Sequence, residues 1–147
     1  MKSNFMSISF AAVPENVSFA RVVVAAFVSQ VDPTMQELTD LQTVVSEAVT
    51  NAIVHGYDNN PDGVVTITAK LIGQAVELTV EDRGVGIENL EKAREPLFTT
   101  KPEKEHTGMG FTIMENFVND IQIETAIGKG TKIRFVKYLQ ANEAMYN

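Results

Sequence analysis

Glu47-Ala-Val-Thr-Asn51-Ala-Ile-Val-His55-Gly56 is the stretch on which the reading of this chain turns. Its three polar side chains stand four residues apart. At 3.6 residues per turn each step advances about 40° around a helix, so they form a slowly drifting polar stripe. Leu38, Leu41, Val45, Ala48, Val49 and Ala52 keep a neighbouring helical face apolar as far as His55. A polar stripe beside an apolar face is where a helix meets a pocket. There a carboxylate can orient or deprotonate a nucleophile, and an amide oxygen can ligate Mg²⁺, which favours hard oxygen donors. Glu47 is thus a general-base candidate and Asn51 a metal-ligand candidate; His55 caps the helix end, donates to a loop or, less in keeping with its position, faces a ligand. Taken alone, this stripe is no more than a solvated helix flank.

Three glycine-bearing motifs follow it in order: Asp82-x-Gly84-x-Gly86, Gly108-Met109-Gly110-Phe111 and Gly128-Lys129-Gly130-Thr131. Asp82 ends an alternating run, and a buried carboxylate there could accept the exocyclic amine hydrogens of adenine while glycines let backbone approach the base. Gly108 to Phe111 opens a helix, whose free N–H groups cradle phosphates. Between these two motifs, Pro96-Leu-Phe-Thr99-Thr-Lys101 and the charged stretch to His106 read as a lid whose hydroxyls and lysine reach phosphates. Gly128 to Thr131 reads first as a tight β turn and only second as a site element. Each motif alone is weak. Together they supply a base, a metal ligand, an adenine reader and a phosphate loop.

The rest of the chain frames that set. Met6, Ile8 and Phe10 alternate with small polar residues, giving a first strand with one buried face. Pro14-Glu15-Asn16 opens a helix to about Gln30, and Asp32-Pro33 reads as an N-cap followed by proline for a second helix running to His55. Gly56 to Gly63 is a loop by composition. Val65 to Leu71 and Val76 to Val80 alternate as a hairpin. A short helix falls near Leu90 to Arg94, another from Gly110 to about Phe117, and Ile121–Ile123 and Ile133–Phe135 form a last strand pair. Antiparallel strands on both sides of the helices indicate an α/β two-layer sandwich with a mixed, largely antiparallel sheet. A doubly wound dinucleotide fold is excluded, because no glycine fingerprint lies between the first strand and first helix.

Composition narrows the classes further. The 147 residues, 44% hydrophobic and 21% charged, fit a single globular domain, residues 1–147, with 140–147 as a tail. A net charge of -7 argues against direct nucleic-acid binding but not against phosphate ligands, which backbone N–H groups and Mg²⁺ can hold. Without cysteine there is no disulfide framework, thiol nucleophile or thiolate zinc site. The longest apolar run, Val22 to Val28, is too short to span a membrane, and a cytoplasmic location is expected.

The order and spacing of the four motifs resemble the gyrase-type (Bergerat), histidine-kinase-like ATPases, over about Ile8 to Tyr138. Within that superfamily, Phe19-Ala-Arg-Val-Val-Val-Ala-Ala-Phe27, Val45 to Ile53, Pro96 to Pro102 and Gly108 to Asn116 are similar to the bacterial anti-sigma serine kinases of the sporulation type. The resemblance implies a homodimer that, with ATP bound, sequesters a sporulation sigma factor and phosphorylates an anti-anti-sigma protein on serine. It also implies ATP or ADP and Mg²⁺ as cofactors, with Glu47 as base, Asn51 as metal ligand and Asp82 as adenine partner. Gly84, Gly86, Gly108 and Gly110 would contact nucleotide, with His55, Thr99, Lys101, Met109, Phe111 and Thr131 beside them, and Arg21 would contact a partner. Where the family carries an arginine ahead of the glycine loop, this chain has Glu105-His106-Thr107. Two other readings compete: a nucleotide-gated sequestering module without kinase activity, and a stand-alone histidine-kinase catalytic domain.

Overall fold

The computed structural model describes residues 3–95 and 110–140. Five strands form one sheet in the order β1-β2-β3-β5-β4: β1 Ser3–Ala11, β2 Val64–Ile72, β3 Ala75–Asp82, β4 Asp120–Ala126 and β5 Gly130–Tyr138. Helices α1 (Glu15–Val28), α2 (Met35–Asn51) and α4 (Gly110–Phe117) carry the apolar stripes that meet it, and α3 (Leu90–Ala93) is a single turn. The two-layer sandwich expected from sequence is what forms. All four described ladders are antiparallel, so the sheet is not mixed. The reason lies in the connections. Between β1 and β2 the chain makes a helical hairpin, which returns it reversed; β5 then inserts between β3 and β4 and separates the two strands that run the same way.

The core follows the two periods in the sequence. Ala20, Val24 and Val28 of α1 and Leu41, Val44, Val45, Ala48 and Val49 of α2 are buried at helical spacing against Val65, Ile67, Ala69 and Leu71 of β2. Val76, Leu78 and Val80 of β3 continue that layer, and Asp82 occupies the next inward position, only 7% exposed. The outward face is polar; Arg134 holds Glu77 with two hydrogen bonds of 2.9 and 3.0 Å. That guanidinium keeps the Glu77 carboxyl below its ordinary value. Among the described residues no helix is long and apolar enough to cross a membrane.

Two boundaries differ from expectation. The second helix is capped by Thr34, not by Asp32: Thr34 Oγ1 accepts the Glu37 N–H (3.1 Å) while Glu37 Oε1 accepts the Thr34 N–H (2.8 Å). Thr34-x-x-Glu37 satisfies two orphan donors reciprocally, which Asp32 cannot, since the third residue after it is Met35. Asp32 instead takes a left-handed conformation (φ 50°) that closes a 3₁₀ turn over Ser29–Val31. At the other end the α-helical period stops at Asn51. Ala52–Gly56 is a π turn, sealed by the Tyr57 N–H on the Ala52 carbonyl at 2.9 Å. His55 is therefore not on the α-helical stripe with Glu47 and Asn51. It lies on the wider turn, half-buried, one residue before Gly56.

Candidate nucleotide site

The α2 helix and its π turn form a rail along one side of the site. Near one end stand Glu47 and Asn51. A Cβ built on Gly110, the first residue of α4, would lie 3.2 Å from Glu47 Oε2 and 3.3 and 3.5 Å from Asn51 Nδ2 and Oδ1. The glycine therefore brings the α4 N-terminus, whose first N–H groups have no intrahelical acceptor, against the carboxylate and the amide. Phe111 and Met114 anchor α4 in the core. Its far end is fixed by Lys137, whose Nζ donates to the Phe117 carbonyl at 2.7 Å and lies 3.5 Å from Asp40 Oδ2 on α2. Arg94 at the end of α3 pairs with Glu115 of α4 at 2.6 Å.

At the other end of the rail is Asp82. Gly56, closing the π turn, packs beneath its carboxylate, so that a Cβ there would come 2.9 Å from Oδ1. Gly56 stands nine positions after Glu47, four of them α-helical, about 6 Å of rise, and the rest in the π turn. Burial pushes the Asp82 carboxyl above the ordinary carboxylate range, opposed by the backbone N–H groups of Gly84 and Thr131 and reinforced by the like charge of Glu81. The Gly84 N–H donates to Oδ1 at 2.9 Å. The turn that follows is tied to the rail: the Gly56 carbonyl accepts the Val85 N–H at 2.9 Å, and Gly84 presses so closely that its Cβ would sit 1.9 Å from the Gly56 oxygen. Gly86 (φ 79°) meets the β4–β5 turn at Ala126 O, and the Gly128 N–H donates to Val85 O at 2.9 Å.

The structure thus brings Glu47, Asn51 and Gly110 together at one end, with Asp82, Gly84, Gly86 and the Gly128–Thr131 turn at the other. Thr131 stands opposite Asp82 in the β3–β5 register, 9% exposed. Its hydroxyl is 2.9 Å from that of Thr125, which also accepts the Ile87 N–H at 2.8 Å. Arg21 is elsewhere, exposed on α1 between Phe19 and Val22, themselves 48% and 65% exposed. Thr99, Lys101, Gly108 and Met109, with the lid expected from Pro96 to His106, lie outside the described residues. The sequence assigns no site role to Gly56, Thr125 or Tyr57, all of which the structure places there. An aromatic residue directly after the helix, within an otherwise Asn-, Asp- and Gly-rich loop, is the signal for Tyr57.

The donor set suits a magnesium ion held mainly by phosphate and water. Asn51 offers one hard oxygen beside the α4 N-terminus, and the described residues contain no cluster of three or more His, Cys, Asp or Glu able to form a metal cage.

This architecture is that of the histidine kinase-like ATPase domain, whose family description matches residues 10–137. The chain is 58% identical to the anti-sigma F factor of Bacillus licheniformis over 98% of its own length and 99% of that protein's. It is 57% identical to that of Bacillus cytotoxicus and 56% identical to that of Anoxybacillus flavithermus, with the same coverage. The chain belongs to the anti-sigma F factor family of nucleotide-binding, histidine kinase-like ATPases. It is also similar in fold to a crystal structure of the RsbU and RsbW domains of a Mycobacterium tuberculosis protein. The TM-score is 0.67 at 21% identity, over 92% of this chain and 32% of that longer one.

Proposed function

We propose that this protein is a cytoplasmic, homodimeric anti-sigma factor and protein-serine kinase. With ATP bound it sequesters a sporulation sigma factor, and it phosphorylates an anti-anti-sigma protein on serine. The observation that carries the kinase reading is the meeting of Glu47 and Asn51 with Gly110, a carboxylate and an amide set against a helix N-terminus. Asp82 would accept the adenine amine hydrogens, and Gly84 and Gly86 would let backbone lie against the base. Glu47 would take the proton from the substrate serine as its oxygen attacks the γ-phosphorus, with ADP leaving in line. The N–H groups of the α4 N-terminus would hold charge on the transferring group. Asn51 would hold Mg²⁺, which when bound neutralises phosphate charge. The exposed Phe19–Arg21–Val22 patch of α1 is the surface we assign to the sigma factor, because it offers apolar area around a cation.

The test has two arms. Immobilised protein should capture a sporulation sigma factor from a spore-forming cell more strongly with ATP than with ADP. With radiolabelled ATP it should label a serine of the anti-anti-sigma protein. Capture without labelling would leave a sequestering module, and labelled histidine on another chain would make it a histidine-kinase domain.

A further inference from the structure

The β2–β3 ladder ends two positions short of the start of β2. Thr66 pairs with Glu81, so two positions further along each strand Val64 would face Arg83. There the backbone groups do not bond to each other. The Arg83 N–H donates to the Tyr57 hydroxyl at 2.7 Å, and that hydroxyl donates to the Val64 carbonyl at 2.6 Å. A phenol has been inserted as a rung between two strands. Its single proton and a free lone pair satisfy both neighbours.

The inserted rung stands beside the base end of the site. Arg83 is the residue after Asp82 and the residue before Gly84, whose N–H holds the Asp82 carboxylate. Tyr57 follows Gly56, on which that carboxylate packs and whose carbonyl accepts Val85 N–H. The residue therefore grips the turn from one side through its hydroxyl, while the residue before it packs against the Asp82 carboxylate. The ring is held in place by Gly63, where a Cβ would come 2.5 Å from the ring's Cγ.

We propose that Tyr57 is a positioning residue for base recognition: by separating the ends of β2 and β3 it fixes the turn that aims Asp82. This rests on the assignment of Asp82 to the adenine amine. Without the hydroxyl, Arg83 N–H and Val64 O can close on each other or take water. Either change moves the turn, and the contact that suffers is the one to the exocyclic amine.

The experiment measures binding of ATP and of purine riboside triphosphate, which lacks that amine, to the full chain. The wild type should prefer ATP. Tyr57→Phe should lose about 3- to 10-fold in ATP affinity, the worth of an ordinary hydrogen bond, while purine riboside triphosphate binds unchanged, so the preference narrows. Gly63→Ala keeps the hydroxyl but displaces the ring, and should narrow the preference likewise. Equal losses for both nucleotides, or no loss of ATP affinity in Tyr57→Phe, would overturn the proposal. A wild type indifferent to the amine would instead remove the Asp82 assignment, and this inference with it.

Discussion

Replacing Asp82 by Asn changes few atoms and should abolish useful nucleotide binding while leaving the fold intact. The carboxylate already accepts the Gly84 N–H at 2.9 Å with the Thr131 N–H also acting on it, and its proposed role adds the adenine amine as a further donor. An amide has one oxygen. Whichever way Asn turns, its NH₂ faces at least one of those donors, so one bond is lost and a donor meets a donor. A charge-assisted bond is worth about 1.5–3 kcal/mol, and an unsatisfied partly buried donor costs about 1–3 kcal/mol more. Together these give about 2.5–6 kcal/mol, or ~10²–10⁴-fold in affinity. Calorimetric titration should find the same factor for ATP and ADP, since both carry adenine. The fold should survive because burial disfavours the ionised carboxylate. Its raised value means the folded state keeps the proton after the unfolded chain has released it. The wild type therefore loses stability as pH rises from the ordinary carboxylate range through the Asp82 value, and Asp82→Asn should be flat by comparison in that window. ATP affinity within threefold of wild type, with the variant folded, would refute the reasoning.

Glu47→Ala should leave Mg·ATP binding and sigma-factor capture largely intact while serine labelling falls by roughly 10²–10⁴-fold; Asn51→Ala should weaken both nucleotide binding and labelling. Transfer at the parental rate in Glu47→Ala would place the base elsewhere. Gly84→Ala drives a methyl into the Gly56 carbonyl, and denaturant unfolding should register a loss of about 1–3 kcal/mol, the usual cost of overpacking, together with weakened ATP binding. Thr34→Ala breaks one arm of the α2 capping box and should cost about 0.5–2 kcal/mol in the same assay, with ATP affinity unchanged.

What the sequence determined by itself was everything that repeats along one element. Alternation in Val65 to Leu71 and Val76 to Val80, and the helical spacing in Leu41 to Ala52, report which face of each element leaves water. That transfer free energy belongs to each side chain singly, so a linear pattern carries it. Asp82 was legible on the same ground, as an acid falling on the inward parity of β3. The short helix Gly110–Phe117 was likewise found where it was expected. The tertiary structure decided what depends on distant backbones meeting. The all-antiparallel sheet follows from β5 entering between β3 and β4, which no single strand encodes. Thr34 prevailed over Asp32 because a cap is fixed by reciprocal bonds and not by residue type alone. The α2 helix widens into a π turn at Ala52, setting Gly56 beneath Asp82, and a phenol from a stretch that reads as loop stands between two strand ends. The Thr34-x-x-Glu37 box is local, three residues apart, and is a pattern the sequence does carry. The sheet order and the contacts of Gly56 and Tyr57 are matters of register and of contact at 2 to 4 Å between residues far apart in the chain, where a one-dimensional pattern holds no information.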